Sequence, residues 1–290
     1  MKCSGFTLAE LLVTIVLSGT VATGAVSVLI AGHRVYRRQT VLTDAHATER
    51  AATNILTSEL RGLDPGAPSG GDLLRVATGS VTYRALRNLY VACAAPDASR
   101  STVLLHGDYW GSRPLDPQVD SVLLFADGDP TKPQDDRWLH ADLRRIEKGY
   151  RCPDGGAAVQ IHVTGLSRRE LELVGVGAPV RGAALWEIRG YPDSRGQWWV
   201  GMRRYSKSTN RWPPIQPLLG PIAPYGLVFQ YFDSDGVPTR VPHRVAAIEI
   251  DVRVARGHES PPPPHATLTA GRGVTARVAL RNALRRESAR

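Results

Sequence analysis

From Phe6 to Gly32 the chain reads FTLAELLVTIVLSGTVATGAVSVLIAG, apolar throughout apart from Glu10 and a few hydroxyls. As a helix this stretch is about 40 Å long at ~1.5 Å per residue, enough to cross a bilayer core of about 30 Å with some tilt. An ordinary secretory signal has an apolar run of only about 7–15 residues. Ala22-Thr23-Gly24-Ala25 imitates the small-residue end of such a signal, but the length favours a spanning helix. Glu10 is the sharper constraint, because a carboxylate inside an apolar helix is costly unless it finds a partner or stays at the interface. One reading leaves Glu10 at headgroup level with no task. The other asks which cation neutralises it. A cut between Gly5 and Phe6 creates an α-amine four residues before Glu10. In a bundle of such helices, one subunit's amine can meet the next subunit's carboxylate in a medium of low dielectric.

Met1-Lys2-Cys3-Ser4-Gly5 followed by Phe6-Thr7-Leu8-Ala9-Glu10-Leu11-Leu12-Val13 resembles the prepilin leader and methylated start of type IV pilins and type II secretion pseudopilins. A short basic leader ends in glycine, phenylalanine opens the mature chain, and glutamate stands fifth in it. The resemblance implies cleavage after Gly5 and N-methylation of Phe6 by a prepilin peptidase. It also implies assembly with other pilins or pseudopilins through the N-terminal helix, with Glu10 as the assembly residue. The expected location is the inner membrane, crossed once, with the globular part in the periplasm before incorporation into a filament or pseudopilus. Arg34, Arg37 and Arg38 follow the apolar run, with Lys2 the only basic side chain ahead of it. Positive residues favour the cytoplasmic side, so charge counting alone would place the C-terminal part inside. The family is inserted the other way, and the expectation follows the family.

No proline occurs between Met1 and Asp64, and Val35, Val41, Leu42, Ala45, Ala52, Ile55, Leu56 and Leu60 recur at three- and four-residue steps. The helix is therefore expected to run on to about Arg61 and to stop at Gly62-Leu63-Asp64-Pro65-Gly66. The expected organisation is a leader at 1–5, a membrane-spanning and filament-core helix at 6–32, a periplasmic half of the same helix at 33–62, and a β-rich head at 66–290. Beyond the helix the pattern turns to period two. Trp186 and Ile188 flank Glu187, a turn comes at Tyr191–Gly196, and Trp198–Met202 continues the alternation. Leu227, Phe229 and Tyr231 form another face, closed by Asp233-Ser234-Asp235-Gly236. The clearest strand is Ile248–Val254, with Val274–Leu280 as its expected partner and a proline-rich exposed loop from Ser260 to His265 between them. The fold class is thus α+β and pilin-like, a long N-terminal helix packed on a mainly antiparallel β-sheet. Residues 66 to 180 yield no such reading.

The C-terminal third adds a looser resemblance. Gly226–Gly236, the strand at 245–254 and Val278-Ala279-Leu280-Arg281-Asn282 resemble the large minor pilins of the W type and pseudopilins of the J type. Those proteins share an aromatic strand, a D-x-D-G-like turn, a V-x-I-x-V strand and a closing arginine-asparagine.

Of three cysteines, Cys3 falls in the expected leader, leaving Cys93 and Cys152. In a periplasmic head these are expected to pair across a loop of roughly sixty residues, worth about 3–4 kcal/mol in the chain-entropy view. Two unrelated buried thiols are the alternative. The formal charge is +9, yet the 36 basic residues, all arginine except Lys2, Lys132, Lys148 and Lys207, are scattered and form no single stripe. Nucleic acid is therefore only an alternative partner. The sequence carries no P-loop, dinucleotide fingerprint, H-E-x-x-H or G-x-S-x-G, so no catalytic residue and no cofactor are assigned and an enzyme is not expected. Eight histidines lie without metal-ligand spacing, and the segment Arg137–Asp142 suggests no role. Asp127 and Asp129 with Asp135 and Asp136, and Asp233 with Asp235, are candidate calcium oxygens, although neither loop has the full ligand set and both read as turns. Three functions compete: filament assembly, recognition of DNA, a surface or a secretion substrate by the head, and a tethered periplasmic enzyme or binding module. The Gly5–Glu10 arrangement argues against the third, because a simple anchor needs neither residue.

Overall fold

The computed structural model describes residues 8–65, 71–128, 131–132, 135–255 and 273–280. The expected leader (1–5), Phe6, the proline-rich loop at 260–265 and the Arg281-Asn282 pair lie outside them. Helix α1 spans Leu8–Arg61 without a break, about 80 Å at ~1.5 Å per residue. It stops where the sequence predicts. Gly62 comes directly after the last helical residue, the Leu63 amide donates to the Leu60 carbonyl at 3.2 Å, and Pro65 cannot extend the ladder.

The two halves of α1 differ in what they bury. From Leu8 to Tyr36 the large apolar side chains are exposed, whereas Ala45, Ala52, Leu56 and Leu60 are buried on a single stripe. Val35 and Leu42, expected on the same face, are exposed because the sheet first supports the helix near Ala45. Glu49 also lies on the buried stripe, with one carboxylate oxygen 3.3 Å from Nδ1 of His46.

Among the described residues the head is a twelve-stranded sheet in which every strand pairing is antiparallel. Its strands are β1 (Leu73–Ala77), β2 (Ser80–Val91), β3 (Thr102–His106), β4 (Trp110–Gly111), β5 (Asp120–Ala126), β6 (Arg137–Arg151), β7 (Ala157–Thr164), β8 (Pro179–Pro192), β9 (Trp198–Arg204), β10 (Gln216–Phe232), β11 (Ala247–Val254) and β12 (Val274–Ala279). Helix α2 (Arg168–Glu172) precedes β8 and opens with a capping box. There the Glu170 amide donates to the Ser167 hydroxyl and the Ser167 amide to the Glu170 carboxylate.

Strand β8 organises the sheet. One of its edges pairs with β2 along nearly its whole length. The other edge is shared: β5 pairs with Val180–Ala184, and β9 takes over from Trp186 to Pro192. The fork divides the head into two lobes, each with its own core. The first lobe packs Leu56 and Leu60 of α1 against Val81, Tyr83, Ile188, Phe229, Ile248, Ile250 and Val252 from β2, β8, β10 and β11. The second packs Val103, Leu105, Val122, Leu124, Leu143, Ile161 and Leu171 from β3, β5, β6, β7 and α2, with no residue of α1. The region with no reading from sequence thus holds a complete second β lobe.

The expected strands of the first lobe are present. Val252 pairs with Val274, Ile250 with Ala276 and Ile248 with Val278, placing β12 beside β11 as predicted. The expected turn at 191–196 joins β8 to β9, and Asp233–Gly236 forms the turn at the end of β10.

Candidate functional site

The N-terminal half of α1 is long and apolar enough to cross a membrane, and none of that stretch is buried by the head. Several of its hydroxyls are turned onto the helix itself. Thr20 donates to the Leu17 carbonyl at 2.8 Å, Thr23 to Gly19 at 2.7 Å and Ser27 to Thr23 at 2.9 Å, while Thr14 donates to the carbonyl of Glu10. No apolar neighbour has to solvate these hydroxyls, the condition for spanning hydrocarbon. Glu10 is exposed and lies in the first turn, where a carboxylate is favoured by the helix dipole. Gly5 and Phe6, the expected cleavage and methylation residues, fall outside the described residues.

Cys93 and Cys152 form a disulfide with Cα atoms 5.7 Å apart. The bond joins the segment leaving β2 to the end of β6, in a small buried cluster with Ala158. The alternative of two unrelated thiols is set aside. His106 stands beside the bond, its Nδ1 3.6 Å from Sγ of Cys152, a neighbour with no signal in the linear spacing.

Of the candidate calcium residues, Asp233 is committed to its own turn. Its Oδ1 accepts the amides of Asp235 at 3.1 Å and Val237 at 2.8 Å, and its Oδ2 lies 3.7 Å from Arg244. A carboxylate already filled by amide donors has little left for a cation. Asp235 is exposed on the same turn. Asp127 neighbours Asp136, whose carboxyl is raised above the usual range by desolvation first and then by the Asp127 charge. Asp129 lies outside the described residues. The segment Arg137–Asp142, which suggested no role, opens β6. There Leu139 and Ala141 enter the second core while His140 and Asp142 point the other way, into a cleft. Strict alternation over 139–143 is the signal that would have found it.

Residues 1–26 match the family described as the prokaryotic N-terminal methylation motif, which supports a place among the type IV pilins and pseudopilins. No curated protein and no solved structure matches the chain. The motif implies assembly with other pilin subunits and processing by a prepilin peptidase. Together with the apolar helix it points to a membrane-anchored, pilin-like protein.

Proposed function

We propose that this chain is a minor pilin or pseudopilin, a structural subunit and not an enzyme. It is inserted in the inner membrane with its head in the periplasm, cut after Gly5, N-methylated at Phe6, and recruited to prime or cap a type IV pilus or a type II secretion pseudopilus. The observation that carries this reading is the continuity of the methylation motif with a single helix, Leu8–Arg61, apolar and uncovered in its first half and packed under the head in its second. A two-lobed head is bulky for a repeating filament subunit and suits one used in few copies.

The W-type or J-type assignment rests on β10 with its aromatic residues Phe229 and Tyr231, the Asp233–Gly236 turn, and β11 and β12 beside it. The deciding experiment is the intact mass of the processed protein from a host with a prepilin peptidase. A chain starting at methylated Phe6 is expected. A start at Met1 or near Ala25 overturns the reading.

A further inference from the structure

The fork at β8 leaves a gap. Strand β5 leaves the β8 edge after pairing with Ala184, and β9 joins it at Trp186, with the Tyr205 amide donating to the Leu185 carbonyl between them. At this junction a cleft of about 390 Å³ opens on the sheet. Small ligands bind in concave sites where a few polar side chains converge beside apolar ones, and here side chains from strands distant in sequence meet in one cleft.

The chemistry of this cleft is one-sided. Its lining carries three fixed cations, Arg84 from β2, Arg144 from β6 and Lys207 from the loop after β9, against one carboxylate, Asp142. Lys207 is held in place: Nζ lies 2.9 Å from Asp142 and donates to the carbonyls of Asp120 at 3.0 Å and Leu143 at 3.5 Å. Its amide donates to the Gln118 carbonyl at 2.8 Å, which ties the covering loop across the fork. Arg84 is half-buried, donates to the Gly71 carbonyl at 3.2 Å, and feels the charge of Asp72. Arg144 is exposed at the rim, where its Nε donates to the Thr164 hydroxyl at 3.0 Å.

Neutral donors complete the set. Asn210 accepts the Tyr205 hydroxyl through its side-chain oxygen, which leaves its amide nitrogen as the donating end. His140 registers the local field: burial first, then the charge of Arg84, lowers its pKa, Lys207 lowers it further, and only Asp142 opposes them. Leu74 and Leu185 supply an apolar wall.

We propose that this cleft binds a small anionic ligand, a carboxylate or phosphate on a short aliphatic body, with Arg84 and Arg144 providing the charge, Lys207 held by Asp142 at the edge of the cleft, and Leu74 and Leu185 providing the apolar contact. The inference stands apart from assembly, which the N-terminal helix carries.

The test uses the full chain in detergent, titrated by calorimetry with inorganic phosphate and, separately, with succinate at constant ionic strength. Saturable binding of at least one of them is expected, and the arm that responds identifies the anionic group. Arg144→Gln is expected to weaken that binding by about tenfold, the scale of one lost charge-assisted hydrogen bond. Arg195→Gln, in the exposed β8–β9 turn, should leave it unchanged. Arg84→Gln should weaken it at least as much as Arg144→Gln. Should Arg84→Gln fail to fold, the exposed Arg144 decides alone. The proposal is overturned if the folded wild type binds neither anion saturably, if Arg144→Gln binds as tightly as wild type, or if Arg195→Gln loses as much as Arg144→Gln.

Discussion

Arg87 of β2 grips Glu59 of α1 through two bonds, Nη1 to Oε1 at 3.2 Å and Nη2 to Oε2 at 2.9 Å, and the Tyr83 hydroxyl adds a third to Oε2 at 3.1 Å. The guanidinium also lies 5.0 Å from the Trp186 ring centroid, so it is held from two sides. This fork fixes the last turns of the stalk to the first lobe, beside the apolar contacts of Leu56 and Leu60.

The pair should behave as a unit. Glu59→Ala and Arg87→Ala are each expected to destabilise the head by about 1–2 kcal/mol, allowing for partial exposure of both side chains. In a double-mutant cycle followed by urea unfolding, the coupling should exceed about 0.5 kcal/mol. Strictly additive losses would mean that the fork orients the helix without stabilising it.

Joining Cys93 to Cys152 closes a loop with a sequence separation of 59 in the second lobe. Replacing both by serine should lower stability by about 4 kcal/mol in the chain-entropy view. In the unreduced, folded protein neither thiol should react with an alkylating reagent, as read from the intact mass. Two alkyl groups added without reductant would show that the bridge does not form.

Asp72 introduces a pH dependence of defined sign. Burial raises its carboxyl from 3.8 to about 6, against the opposing Asp64 amide and the Arg84 charge. The folded state therefore keeps a proton between these values that the unfolded chain has already lost. Stability contributed by the protonated form is present at low pH, falls as pH rises from about 4 to about 6, and levels off above that. The difference amounts to about 3 kcal/mol. Asp72→Asn keeps an acceptor for the Asp64 amide without the charge. It should be more stable than wild type at pH 7 and lack the fall between pH 4 and 6 in denaturant titrations. If it is less stable at pH 7, the ionised carboxylate is an asset and burial has been overweighted.

The strands of the first lobe between Trp186 and Leu280 were legible because they rest one face on a core lined by α1, whereas β1 and β2 of the same lobe were not read. In β11 the polar Glu249, Asp251 and Arg253 alternate with buried Ile248, Ile250, Val252 and Val254, and period two is plain. The second lobe offers no such contrast. In β5 six of the seven residues from Asp120 to Ala126 are buried, so an apolar run shows no face, and β6 alternates only as far as Leu143 before its side chains turn to solvent. The helix end could be read from Gly62 and Pro65, while buried Glu49 could not, since a hydrophobic stripe passes over a carboxylate. The cleft was hidden for a different reason. Arg84, Arg144 and Lys207 stand far apart in the chain and meet only because β8 divides one edge between two partners.

Glu10 should matter for assembly and leave the head untouched. It stands in the first turn of α1, in the half of the helix that the described residues of the head do not bury, while the first core begins at Ala52. Replacing it with leucine removes a charge from the apolar stretch and lowers the cost of insertion by at most about 3 kcal/mol. The same change deletes the carboxylate that would meet the Phe6 amine of a neighbouring subunit in low dielectric, where such a pair is favoured over either charge alone. Glu10→Leu is therefore expected to be processed and inserted, and in detergent to show the same head unfolding midpoint as wild type, yet to be recruited poorly by partner subunits. Crosslinking in membranes and co-purification with the partners would measure the loss. If Glu10→Leu assembles as well as wild type, charge pairing across helices does not drive recruitment, and the apolar surface of α1 alone must account for it.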